Sequence, residues 1–143
     1  MDPIDIHRFA FPTAIQFGAG ARRLVAPHLR ERGCGRPFVV TDKGLAALPL
    51  LAEFRGHLGG LDVAVFDGVF GNPRASQVMA GAAAFKAHRA DSVIGFGGGA
   101  ALDVAKLVGV MAVHEGDVLE YVWDHPRVRP IVQPLAHFVA VPT

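Results

Sequence analysis

The chain has 143 residues, of which 51% are hydrophobic, and its formal net charge at pH 7 is +1. This length suits one domain with a buried core, and the near-neutral charge gives no reason to expect a nucleic-acid or membrane partner. No apolar run reaches transmembrane length, the N-terminus carries Asp2 and Asp5 in place of a signal peptide's lysines, and the single cysteine, Cys34, excludes an internal disulfide. We therefore expect a cytoplasmic protein.

The predicted elements alternate between strand and helix along most of the chain. Residues 9–11 and 14–17 are predicted to form two short strands around the Pro12-Thr13 turn. Then follow, in chain order, a helix at 21–32, a strand at 37–41, a helix at 45–58 broken at Pro49, a strand at 62–66, a helix at 75–88, a strand at 92–96, a helix at 100–113 and a strand at 138–141. Residues 115–133 are predicted to be an ordered loop or a short helix. A strand–helix repeat of about 25 to 30 residues predicts an α/β fold, a Rossmann-like parallel sheet with helices on both faces.

The end of the chain is unusual for such a fold. Only Pro142 and Thr143 follow the last predicted strand, so no helix covers it. The preceding helix is apolar all round except at Asp103 and Lys106, which predicts burial on more than one side. We therefore expect that the chain is truncated after Thr143 and that an absent second domain covers this helix.

The most informative segment lies between the strand at 92–96 and the helix at 100–113, where Gly97, Gly98 and Gly99 are consecutive. Without Cβ atoms, the backbone N–H groups can approach an anion closely, and the positive end of the helix dipole lies behind them. This turn predicts a pyrophosphate site for a nucleotide cofactor. Gly95-x-Gly97-x-x-Ala100 also satisfies the dinucleotide-binding pattern, although a lone match is weak evidence.

The acidic residue of that pattern is in an unusual place. It is expected about 20 residues after the glycines, at the end of a strand. Here that position falls near Glu115 and Asp117, where no strand is predicted. Asp42 instead ends an upstream strand and supplies a carboxylate for a ribose. The alternative is that the glycines form a tight turn and that Asp42 only caps a helix.

Four segments together resemble the iron-containing alcohol dehydrogenases. The residues from Gly97 to Lys106 resemble that family's Gly-Gly-Gly-Ser-x-x-Asp-x-x-Lys motif. The other three matches are Thr41-Asp42-Lys43-Gly44 to a strand-end Thr-Asp segment, Gly71-Asn72-Pro73 to a Pro-Asn-Pro turn, and Val141-Pro142-Thr143 to the start of Pro-Thr-Thr-x-Gly-Thr. Their order and spread imply that residues 1–143 are the family's N-terminal NAD-binding domain, without its C-terminal all-helical metal-binding domain.

The resemblance also implies which residues contact NAD. Asp42 would bind the adenosine ribose and repel a 2′-phosphate, which favours NAD over NADP, and Asn72 would contact the adenosine side. Backbone N–H groups at Gly98, Gly99 and Ala100 would hold the pyrophosphate. The complete set of implied cofactor-binding residues is Asp42, Asn72, Gly97, Gly98, Gly99, Ala100, Asp103 and Thr143.

Two positions in this set need separate treatment. Ala100 replaces the family's usual serine, and the lost hydroxyl donor weakens phosphate binding by about 1 kcal/mol. Asp103 lies in the first helical turn, where the dipole favours a carboxylate that would nevertheless repel a phosphate. We therefore expect Asp103 to brace the turn or face the active-site cleft. Lys106 is expected either to pair with Asp103 or to be solvated.

The function implied for the intact enzyme is metal-dependent hydride transfer between NAD(H) and an alcohol or aldehyde, in a possible homo-oligomer. The family holds its iron or zinc with one aspartate and three histidines of the absent domain, so we expect no catalytic or metal residues here and no activity from this chain alone. His114-Glu115 and His125 lie in one predicted loop and are expected to be solvated residues, the alternative being a metal pair. The alternatives are a sister enzyme similar to glycerol dehydrogenases or dehydroquinate synthases, a stand-alone nucleotide-binding module, and a purely structural α/β domain.

Overall fold

The computed structural model describes residues 12–143, which contain one four-stranded sheet. The strands are β1 (Pro37–Asp42), β2 (Ala64–Val69), β3 (Ser92–Gly97) and β4 (His137–Pro142). The helices are α1 (Val25–Glu31), α2 (Lys43–Ala46), α3 (Pro49–His57), α4 (Ala75–His88) and α5 (Gly99–Met111), with 3-10 turns at Ala21–Leu24 and Val118–Tyr121. None of the helices in this described part has the length and apolar character needed to cross a membrane.

The sheet is parallel throughout, and helices cover both of its faces, as the sequence predicts. Successive strand residues point to opposite faces. In β1, Phe38 and Val40 belong to a buried cluster with residues of α4 and α5, whereas Val39 belongs to a second cluster with residues of α1 and α3. In the second cluster the rings of Phe54 and Phe96 stack with centroids 4.4 Å apart.

The strand order is β2-β1-β3-β4. The chain leaves β1 toward β2 on one side and later returns to β3 on the other side, with α3 and α4 on opposite faces. In open parallel sheets, the carboxyl ends of the two strands at such a reversal border a crevice that binds ligands. Here those ends are Asp42 of β1 and Gly97 of β3.

One predicted element differs from the structure. Residues 14–17 are not a strand, because no segment within 12–143 pairs with them, and Ile15 and Phe17 are exposed. The predicted strand at 9–11 lies outside the described residues. The break predicted at Pro49 is present and separates α2 from α3, since Leu48 is extended and Pro49 begins α3.

Helix α5 is buried largely within this chain. Val104, Ala105 and Val108 are inaccessible to solvent, in contact with the sheet and α4, and Leu107 is the only large apolar side chain of α5 that is exposed, at 37%. Packing on β3 and α4 therefore explains much of the apolar character of α5 within the described residues.

Candidate functional site

An open cleft of about 380 Å³ lies at the carboxyl ends of β1 and β3, which is within the size range of ligand sites. Its walls come from the residues that follow β1, the end of β2 and the glycine turn after β3. The lining residues are Asp42, Lys43, Gly44, Val69, Phe70, Gly71, Gly98, Gly99, Ala100 and Ala101.

Gly97 needs to be glycine for two reasons. Its φ of +144° is a conformation that L side chains rarely adopt. A Cβ there would also lie 3.1 Å from the Cβ of Ala101 and 3.2 Å from Oδ2 of Asp42. The carbonyl oxygen of Gly97 accepts a hydrogen bond of 3.1 Å from the N–H of Thr143, which brings the last residue of the chain to this turn.

Gly98 and Gly99 face open space. A Cβ added at either residue would meet no atom within 4 Å. Gly98 is the N-cap of α5 and provides no side-chain cap, so the first N–H groups of this 13-residue helix lack both intrahelical and capping partners. An open glycine turn at the positive end of a helix fits a pyrophosphate.

Asp42 combines the two roles that the sequence leaves open. Its Oδ1 accepts a hydrogen bond of 2.8 Å from the N–H of Leu45 and so caps α2. Its Oδ2 lies toward the glycine turn, as its distance from the Cβ position of Gly97 shows. The cap therefore uses one oxygen and fixes the other at the border of the cleft.

Four predicted site residues lie outside the lining of the cleft: Gly97 and Thr143, which meet at the glycine turn behind it, and Asn72 and Asp103. Asn72 is exposed in the turn after β2, directly beside Gly71, which does line the cleft. Asp103 is exposed on α5, where its Oδ1 lies 3.3 Å from Nζ of Lys106. Of the two alternatives expected for Lys106, the pair with Asp103 is present, and both side chains are also exposed, at 59% each.

The sequence analysis assigned no role at the cleft to three residues, which are Gln77, Phe70 and Lys43. Gln77 is buried; its Oε1 accepts a hydrogen bond from the N–H of Arg74 (3.2 Å) and its Nε2 donates one to the carbonyl of Phe70 (2.9 Å), which fixes the turn that carries Asn72. A glutamine at the third position of a helix is the available sequence signal. Phe70 lies on the cleft wall, with Nζ of Lys43 5.8 Å from its ring centroid.

His114 differs from its prediction as a solvated loop residue. It is buried, its Nδ1 donates to the carbonyl of Val110 at 2.8 Å, and its Nε2 accepts from the N–H groups of Val132 (3.1 Å) and Gln133 (3.2 Å). Both ring nitrogens are thus used to hold the loop against the end of α5. A tertiary contact 18 residues away in sequence leaves no local pattern that would predict it.

The implied iron or zinc does not fit the described residues. Within residues 12–143 no group of three or more histidine, cysteine, aspartate or glutamate side chains is arranged to hold a metal ion. His125 does not join His114, since its Nδ1 accepts from the N–H of Arg127 in its own loop. We therefore assign no metal-dependent step to this part of the molecule.

Comparison with known proteins gives a consistent family. The profile of the family described as "Iron-containing alcohol dehydrogenase" matches residues 12–143. The chain is 34% identical over 131 residues to 4-hydroxybutyrate dehydrogenase of Cupriavidus necator (92% of this chain, 34% of that protein). It is 32% identical over 130 residues to NAD-dependent methanol dehydrogenase of Bacillus methanolicus (90% and 34%).

The solved structures agree with the sequence relatives. A crystal structure of 1,3-propanediol oxidoreductase matches 88% of this chain and 32% of its own, with a TM-score of 0.78 and 33% identity. The chain thus spans about a third of the length of these relatives. The family match over residues 12–143 covers both the sheet and the glycine turn. The chain therefore belongs to the iron-containing alcohol dehydrogenase family.

Proposed function

We propose that residues 1–143 form the NAD(H)-binding domain of an alcohol dehydrogenase. The observation that carries the proposal is the meeting of Asp42 and the open glycine turn at the reversal point of the sheet. Ligands in open α/β sheets bind at this point. The NAD dependence in the name of the methanol dehydrogenase, a 32% identical relative, supports the choice of cofactor.

The residues of the cleft would have separate roles. The backbone N–H groups of Gly98, Gly99 and Ala100 would bind the pyrophosphate, and Gly97 would shape the turn. The Asp42 carboxylate would accept hydrogen bonds from the ribose hydroxyls and repel a 2′-phosphate. Asn72 would contact the nucleotide from the turn after β2, and Thr143 would contact it from the end of β4. Asp103 would brace the glycine turn or face the active-site cleft from α5.

The reaction of the whole protein would be hydride transfer between an alcohol and the nicotinamide ring, giving an aldehyde or ketone. The bound cofactor supplies the hydride acceptor. This chain would bind the cofactor and orient it, since the described residues contain no group of three or more histidine, cysteine, aspartate or glutamate side chains that could hold a catalytic metal ion. We therefore propose that residues 1–143 alone bind NAD(H) without turnover.

The test is a titration of the chain with NADH and with NADPH, followed by nicotinamide fluorescence. We expect the chain to bind NADH at least tenfold more tightly than NADPH. The variant Asp42→Asn keeps an oxygen to cap α2 but loses the charge, so it should reduce this preference without unfolding the chain.

Asp124→Ala, which removes an exposed carboxylate outside the cleft, is the matched control and should leave the NADH preference unchanged. Failure of the folded chain to bind either nucleotide at millimolar concentration would contradict the proposal. That result would favour the alternative that the chain is a purely structural α/β domain without a cofactor.

A further inference from the structure

The side chains of two histidines meet at the opposite end of the sheet from the cleft. His28 is on α1 and His137 is the first residue of β4, at the amino end of that strand. Their Nε2 atoms are 2.8 Å apart, and their rings are 5.0 Å apart with planes inclined by 42°. Both side chains are partly buried, so one side of the pair is packed and the other is accessible to solvent.

The spacing of the two nitrogens agrees with a particular coordination geometry. Two nitrogens bonded at about 2.0–2.1 Å to one ion lie about 2.9 Å apart when the angle at the ion is near 90°, and about 3.4 Å apart when it is tetrahedral. The observed 2.8 Å is the length of a hydrogen bond between the two rings, and it is also close to the first value. Angles near 90° are characteristic of Ni²⁺ and Cu²⁺, whereas Zn²⁺ prefers tetrahedral sites.

The chemistry of the two rings also suits a ligand role, because each neutral imidazole has one ring nitrogen with a lone pair that can bind a metal ion. The guanidinium of Arg32, whose charge acts on His137, opposes a bound cation and limits the affinity. No carboxylate or thiol completes a larger ligand set within residues 12–143.

We propose that His28 and His137 form a two-histidine site for a divalent ion of the Ni²⁺ or Cu²⁺ type. The ion replaces the hydrogen bond between the rings and takes a lone pair from each Nε2. The ring that had donated its Nε2 proton carries it on Nδ1 instead, so both imidazoles stay neutral, and water fills the remaining positions. The bound ion links α1 to β4 and stabilises the folded chain.

The test uses the chain without a histidine tag and Ni²⁺ alone, because Ni²⁺ does not oxidise Cys34. Calorimetric titration should show one site in the unaltered chain, weakened at least tenfold in both His28→Gln and His137→Gln. His125→Gln, which removes a loop histidine, should bind Ni²⁺ as the unaltered chain does. Each variant is also melted with and without Ni²⁺, so that its shift in Tm is measured against its own metal-free state.

A measurement on the unaltered chain does not depend on the variants folding. Paramagnetic Ni²⁺ should broaden the amide NMR signals around positions 28 and 137 at the lowest ion concentrations. Equal binding by all variants, equal weakening in His125→Gln, or first broadening elsewhere would show an adventitious ion only and would overturn the proposal.

Discussion

Gly97 and Gly98 need to be glycine for different reasons, the first for the fold of the turn and the second for access to it, and substitutions test the two reasons separately. Gly98 has an ordinary φ of −78° and open space at its Cβ position, so Gly98→Ala should fold normally. The new methyl group would occupy the turn where we propose that the pyrophosphate binds, so we expect NADH to bind at least tenfold more weakly than it binds the unaltered chain. Fluorescence titration and thermal melting measure the two effects.

Gly97→Ala is the contrasting variant. It forces a positive φ and places a methyl group against Ala101 and Asp42, so we expect the free energy of unfolding to fall by about 1–3 kcal/mol. Chemical denaturation measures this loss. A stable Gly97→Ala chain, or a Gly98→Ala chain that binds NADH normally, would contradict the account of the turn.

Site residues with local signals could be predicted from the sequence, and those with tertiary signals could not. Asp42, Gly98 and Gly99 follow directly from strand-end and turn patterns, and the structure brings them to one cleft, with Gly97 directly behind Asp42. Gln77 also has a local signal, because it is the third residue of α4. His114 accepts hydrogen bonds from backbone N–H groups 18 and 19 residues later in the chain, and no local pattern reveals such a contact.

At the scale of elements, α4 and α5 approach closely where Gly81 meets Val108. A Cβ at Gly81 would lie 2.7 Å from Cγ2 of Val108, a stiff β-branched side chain. We expect Gly81→Ala to destabilise the chain by about 1–3 kcal/mol despite the better helix propensity of alanine.

Gly56→Ala is the matched control on the exposed side of α3. Its added Cβ meets no atom within 4 Å, so this variant should gain up to about 1 kcal/mol of stability. The two variants are compared by urea denaturation. Equal effects of the same sign would show that the α4–α5 contact does not constrain the fold.

Elements were predictable where their signals lie within the segment. Pro49 correctly predicts a break, which the structure places between α2 and α3. Residues 14–17 have a strand-like pattern without a partner strand in the described residues, and a strand is stabilised by its neighbours rather than by its own sequence. That dependence explains the wrong prediction.

At the scale of the whole molecule, the contact between α1 and β4 predicts a pH dependence of stability. The pKa of His137 is lowered, first by burial and then by Arg32 and His28. As the pH falls below the unfolded value of about 6.5, the unfolded chain binds the proton more readily, so stability is lost. Glu53, whose pKa is lowered by Arg22, titrates below this window.

We therefore expect the urea midpoint of unfolding to decrease when the pH is lowered from 7 to 5. The decrease should be smaller in His137→Gln than in the unaltered chain. Midpoints measured in urea at both pH values give the comparison. The same slope in the variant and the unaltered chain would contradict the role of His137.

The strand order of the sheet was not predictable from the sequence, although it decides where the site lies. The repeat predicts parallel strands with helices on both faces, but many orders satisfy that pattern. The order β2-β1-β3-β4 places Asp42 beside Gly97, 55 residues later in the chain, and so turns two separate motifs into one cleft.

The most direct test of the central claim is an amide NMR titration of the chain with NADH. If the pyrophosphate binds at the glycine turn, the largest chemical-shift changes will be at Gly98, Gly99 and Ala100, with smaller changes after Asp42 and around Asn72. Saturable binding that leaves the Gly98–Ala100 amides unchanged while signals elsewhere shift would contradict the assignment of this turn as the cofactor site.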